Sequence, residues 1–156
     1  MIKGLDHIGL CVGSLKKSVE FYCDILGFTL IDHTGFEGSD DAAVVMHLKS
    51  LMVDAAIVEK EGCQLELLEF KDKESIRPSD APMNGIGKHH IAIATDNIEA
   101  DIKRLENTGV EFYGKVLIDR ITDEGDKWVY FKDPDGNAVE LIERTGKINI
   151  ELNKSI

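Results

Sequence analysis

Two stretches decide the fold: LDHIGLCVGSLKKSVEFYCDILGF, residues 5–28, and KHHIAIATDNIEADIKRLENTGVEF, residues 88–112. Each opens with a histidine, His7 or His90, followed by alternating small and apolar residues that read as a short strand. A capping residue follows, Ser14 or Asp96, and Glu99 three residues after Asp96 completes a capping-box pattern. Apolar residues then recur at helical spacing: Leu15, Val19, Tyr22 and Leu26 in one, Ile98, Ile102 and Leu105 in the other. Each helix stops at a glycine, Gly27 or Gly109, a residue that tolerates the left-handed backbone of a helix end. The spans from 7 to 27 and from 90 to 109 differ by one residue, so the chain is a duplicated module.

The repeat continues outward. QLELLEF, residues 64–70, matches AVELIER, residues 138–144, and sets Glu66 against Glu140. The interval from His7 to Glu66 is longer than that from His90 to Glu140, and the excess is assigned to Ala42 to Val58, read as two strands around Lys49-Ser50. Asp133-Pro134-Asp135-Gly136-Asn137 is a turn before the last strand. Each module is therefore a strand, a helix and several strands. The expected organisation is a first module over residues 1–70, a linker over 71–87 holding Pro78 and Pro82, a second module over 88–144 and a polar tail over 145–156.

Composition limits the function. The chain has 156 residues, 43% of them hydrophobic and 30% charged, which suits one globular domain or two small modules. Acidic residues outnumber basic ones 29 to 18, and the net charge of −11 lacks the basic footprint of a nucleic-acid binder. No apolar run approaches the ~20 residues of a membrane span. The start, Met1-Ile2-Lys3-Gly4, does not read as a signal peptide. Cys11, Cys23 and Cys63 are odd in number and form no CxxC pair, so the expected compartment is the reducing cytoplasm, with Cys11 and Cys63 as small buried hydrophobes.

Glu66 and Glu140 sit mid-strand among apolar neighbours, where glutamate is disfavoured without a partner. Their recurrence with His7 and His90 points to one divalent metal, because two imidazoles and two carboxylates give a dication a neutral shell. His89 should face away from His90's side, since neighbouring strand residues alternate. His33 and His47 have no counterpart in the repeat and read as structural or exposed. Gly9 and Ala92 share the ligand faces and leave room for a substrate. Gln64 shares the face of Glu66 and is a candidate substrate contact. Trp128 and Tyr130 read as core packing in preference to substrate contact. Arg77, Lys115, Arg120 and Lys127 are the basic groups available to an anion, though charged loops are ordinarily solvated.

The segments DHIGLCV, FYCDILGF, QLELLEF, GKHHIAIATDNIEA and FKDPDGNAVELIE resemble the vicinal oxygen chelate superfamily, the glyoxalase and bleomycin-resistance fold, over residues 4 to about 144. The resemblance implies an α+β fold of two tandem βαβββ modules whose cupped mixed sheet surrounds a metal held by His7, Glu66, His90 and Glu140. Glyoxalase I carries this His/Glu/His/Glu set. Methylmalonyl-CoA epimerase is similar, notably at His89 to Ala92, but usually has glutamine at the Glu66 position. Where bacterial glyoxalase I often has arginine to hold glutathione, this chain has Cys11.

The implied function is a metal-dependent lyase or isomerase, glyoxalase-like or epimerase-like. It would move a proton beside a carbonyl through an enediolate stabilised by Ni, Co, Zn, Mn or Fe as a divalent Lewis acid. Glu140 is the implied base and Glu66 its catalytic partner. The implied partners are a small-molecule substrate and a second copy in a homodimer. Two other classes belong to the same fold. An extradiol-type dioxygenase would need only two His and one carboxylate, which Glu66 exceeds. A non-catalytic antibiotic-binding protein would need no ligands at all.

Overall fold

Leu65 and Leu67 are buried on one face of a strand, while Glu66 and Leu68 turn to the other face and are only partly covered. This period of two recurs at Val139 and Leu141 against Glu140, and it fixes which side of each sheet carries a core. The computed structural model describes residues 1–71, 83–118 and 125–145. Residues 72–82 of the expected linker, with Arg77, and Arg120 lie outside these, as do residues 146–156 of the tail. The chain divides into two units, Met1–Asp80 and Ala81–Ile156.

In the first unit the elements run β1 (Ile8–Cys11), α1 (Leu15–Glu20), β2 (Thr29–Glu37), α2 (Asp40–Val45), β3 (Met52–Lys60) and β4 (Cys63–Phe70). The strand order is β1-β4-β3-β2, with β1 and β4 parallel and the other pairs antiparallel. In the second the order of elements is β5 (His90–Ala94), α3 (Ile98–Glu106), β6 (Leu117–Ile118), β7 (Lys127–Lys132) and β8 (Ala138–Glu143). Its sheet, β5-β8-β7-β6, repeats the same scheme with β5 parallel to β8. Each unit is thus the expected βαβββ module, and the first and last strands of each lie side by side.

α1 packs on β3 and β4, and α3 on β8. Val58, Leu67, Ile98, Phe131 and Val139 are fully buried, and burying a side chain of this size contributes roughly 1.5–3 kcal/mol. Past Glu20 the first helix widens into a π-helical turn, Phe21–Ile25, which buries Phe21 and Tyr22 edge-on, with ring centroids 5.4 Å apart. Gly27 (φ +76°) and Gly109 (φ +88°) end the helices in the left-handed region, as expected. The Asp133 turn also forms: its carboxylate accepts the backbone N–H groups of Asp135 at 3.0 Å and Asn137 at 2.8 Å.

Three expectations are corrected. The stretch from Ala42 is not a pair of strands: α2 precedes β3, because Ser39 caps it by accepting the Ala42 N–H at 3.2 Å and Asp40 and Asp41 fill its first turn. The cap of α3 is Asn97, whose side chain accepts the Ala100 N–H at 3.0 Å, and not Asp96; Glu99 leaves the capping box and pairs with Lys127 at 2.8 Å. Cys11 and Cys63 are exposed, because both occupy the strand face opposite the helix-side core or a strand end.

Candidate metal centre

His7 directly precedes β1 and His90 opens β5. Two residues on, Gly9 is in register with Glu66 and Ala92 with Glu140. In a parallel pair this offset brings each histidine to the glutamate of the neighbouring strand. His7 Nε2 lies 3.3 Å from Glu66 Oε2, and His90 Nε2 lies 3.0 Å from Glu140 Oε2. The four expected ligands thus form two equivalent pairs, one within each unit. Among the described residues, no three His, Cys, Asp or Glu side chains gather to hold a metal ion.

Each pair fits adjacent ligands of one ion. Metal–nitrogen and metal–oxygen bonds of about 2.1 Å at right angles separate their donor atoms by roughly 3.0 Å. Both pairs present Nε2, leaving Nδ1 for an orienting partner. For His7 that partner is Asp6, whose carboxylate stands 2.9 Å from Nδ1. The Asp6 hydrogen bond raises the His7 pKa above its ordinary value; loss of hydration opposes this, and the Glu66 charge adds to the rise.

The second pair has a different attendant. Tyr130 in β7 stands in register with Glu140, where the first unit places Ile57 opposite Glu66. Its hydroxyl donates to Glu140 Oε2 at 3.1 Å and lies 3.4 Å from His90 Nε2. The Tyr130 ring meets the His90 ring edge-on, with centroids 5.3 Å apart. Burial first, then the Glu140 charge and hydrogen bond, push the Tyr130 pKa up to about 12, so the hydroxyl keeps its proton and remains a donor. The reading of Tyr130 as core packing is therefore corrected. The signal that would have found it is strand parity across the turn, which sets Tyr130 opposite Glu140.

Trp128, on the same face, stacks edge-on against Tyr130 at 5.7 Å, and its Nε1–H is buried without a hydrogen-bond partner among the described residues. Gln64 is exposed, two residues before Glu66 on the same face. A Cβ added at Gly9 would meet Glu66 Oε2 at 3.9 Å, an ordinary contact, so the glycine opens space without being required by it. Lys127 is occupied, at 2.8 Å from Glu99 and 3.2 Å from Glu143.

The likeness to known proteins follows the same lines. The 2-epi-5-epi-valiolone epimerase of Actinomyces sp is 31% identical over 88% of this chain and 78% of its own length. A probable lactoylglutathione lyase of Synechocystis is 30% identical over 92% of this chain and 97% of its own. The crystal structure of a glyoxalase family protein from Bacillus cereus superposes with a TM-score of 0.78 at 24% identity, covering 92% of this chain and 95% of that one, a likeness of fold. The family model of the glyoxalase/bleomycin resistance protein/dioxygenase superfamily matches residues 4–141, a span that takes in both modules and all four paired side chains. With its two βαβββ modules, this chain belongs to that superfamily.

Proposed function

We propose that this chain is a metal-dependent lyase or isomerase that moves a proton on the carbon beside a carbonyl, with His7, Glu66, His90 and Glu140 holding one divalent ion. The observation that carries the reading is the recurrence of the Nε2–Oε2 pair at the same strand register in both units. Imidazole and carboxylate together suit Ni²⁺, Co²⁺, Zn²⁺, Mn²⁺ or Fe²⁺. Such an ion, when bound, polarises the substrate's oxygens as a Lewis acid.

The chain's own residues supply the rest. Glu140 is the general base. Its side chain is 12% exposed against 30% for Glu66, so it is the better shielded from water. Tyr130 holds one Glu140 oxygen by its hydroxyl and so orients the carboxylate. Asp6 fixes the ring of His7, with Nδ1 as the donor and Nε2 as the free lone pair. Gln64, exposed on the face of Glu66, is a polar contact for the substrate. The epimerase and the lyase among the relatives belong to the two reaction classes proposed. The substrate is a small molecule, and the protein works as a homodimer.

The test is metal analysis of the purified protein, followed by a deuterium wash-in screen of α-keto and α-hydroxy compounds without oxygen. The expected result is one divalent ion per chain and solvent deuterium at a carbon next to a carbonyl. Oxygen uptake with a catechol and Fe²⁺, with no exchange into any carbonyl compound, would replace this reading by the dioxygenase one.

A further inference from the structure

Each unit carries a second glutamate three residues beyond the first: Glu69 after Glu66, and Glu143 after Glu140. The odd offset turns these side chains to the opposite face, where Leu65, Leu67, Val139 and Leu141 are buried. There Glu69 Oε2 accepts the backbone N–H of Leu15, the first residue of α1, at 2.8 Å. Glu143 Oε2 accepts that of Ile98, the first residue of α3, at 2.7 Å. The other oxygen of each has an ammonium in range: Lys71, itself paired with Asp54, at 3.9 Å from Glu69, and Lys127 at 3.2 Å from Glu143.

The two lysines come from unrelated places. Lys71 directly follows β4, whereas Lys127 opens β7. The same carboxylate arrangement is thus reached by two routes, which a chance product of one local sequence would not be. A backbone bond accompanies each: the Val12 N–H donates to the Leu68 carbonyl, and the Thr95 N–H to the Ile142 carbonyl, both at 2.9 Å. The helices already have their own local caps, Ser14 for α1 and Asn97 for α3. What the glutamates add is a tie from the loop after the histidine strand to the strand that bears the paired glutamate.

We propose that Glu69 and Glu143 are positioning residues for the two His/Glu pairs, an inference that rests on the metal reading above. Sliding β1 along β4, or β5 along β8, would carry each histidine off its glutamate, and a strand slip of one residue reverses every side chain. A partly buried carboxylate bound to one particular N–H admits one register. The pair distances of 3.3 and 3.0 Å are what that register preserves.

The experiment compares Glu69→Ala, Glu143→Ala, Glu69→Gln and Glu143→Gln with Ser39→Ala. The last removes the cap of α2, which touches neither pair. Co²⁺ is titrated calorimetrically into each metal-free protein, and the visible Co²⁺ spectrum is recorded. Without metal, the ring nitrogens of His7 and His90 are followed by NMR. The alanine variants should bind Co²⁺ about 10- to 100-fold more weakly, as when an orienting partner of a ligand is lost. The glutamine variants should recover much of the affinity, since an amide oxygen still accepts the N–H. Ser39→Ala should leave affinity and spectrum unchanged.

Equal weakening by Ser39→Ala, or wild-type affinity in both alanine variants, would overturn the proposal. If the wild type binds no Co²⁺, the metal reading fails by itself and the metal-free spectra decide: shifted His Nε2 signals in the alanine variants alone support positioning, and unshifted signals reject it. If an alanine variant does not fold, Glu69→Leu or Glu143→Leu, which removes the acceptor and keeps a side chain of similar size on the buried face, supplies the same comparison.

Discussion

Tyr130→Phe tests whether the two half-sites differ as the structure draws them. The substitution removes one hydroxyl and keeps the ring packed against His90 and Trp128. What is lost is a hydrogen bond of 3.1 Å to the Glu140 carboxylate. Hydrogen bonds to charged groups are worth about 1.5–3 kcal/mol. Tyr130 is half-buried, so water replaces part of the loss and the lower figure applies. About 1.4 kcal/mol is tenfold, so turnover should fall roughly tenfold, with KM for the substrate little changed. Ile57→Val, at the matching register beside Glu66, is the control and should leave turnover near wild type. The assay is steady-state kinetics of the metal-loaded protein on whichever carbonyl compound shows deuterium exchange, with Co²⁺ affinity measured alongside. Equal effects of the two substitutions, or wild-type turnover in Tyr130→Phe, would refute the orienting role of the hydroxyl.

Glu140→Gln should lower turnover by about 10² to 10⁴ while the protein stays folded by circular dichroism, as for loss of a general base; near-normal turnover with metal retained removes Glu140 from the mechanism. Sedimentation at micromolar concentration should show a homodimer, because edge strand β2 leaves all nine residues exposed, Leu30, Ile31 and Phe36 among them; a monomer there would refute it. Lys127 holds the Glu99 carboxyl below its ordinary value, so the stability this pair gives is complete above that value, about 4.3. It is lost as pH falls through the lowered folded value, so the acid-side drop in melting temperature should shrink in Glu99→Gln, and an unchanged drop would show the pair to be idle.

The duplication was legible because it acts through spacing, which packing does not alter. His7 and His90, the helix-ending glycines and the Glu66 and Glu140 strands all follow from it. What escaped depends on competition between near-equal local choices. Asp96 and Asn97 both cap helices, and Asn97 wins because the N–H of Ile98, next in the chain, is already held by Glu143. Ala42 to Val45 contains two valines and reads as a strand, yet Ser39 and the acidic pair after it start a helix first. The second glutamates were hidden for another reason: their backbone partners, Leu15 and Ile98, open helices far away along the chain. Those partners lie at distances along the chain that no local period reveals.

The pairing of the first strand of each unit with its last also sets an order of events during folding. β2, β3 and β4 are joined as successive antiparallel neighbours, with β3 and β4 meeting across a tight turn at Lys60 and Cys63. Among the described residues β1 joins only β4, and β5 only β8, so each His/Glu contact joins the first strand of its unit to the last. Contacts of such long sequence separation cost the most loop entropy and form late. Each His/Glu pair is therefore expected to be the last part of its unit to assemble, so that its formation would report that the unit has finished folding.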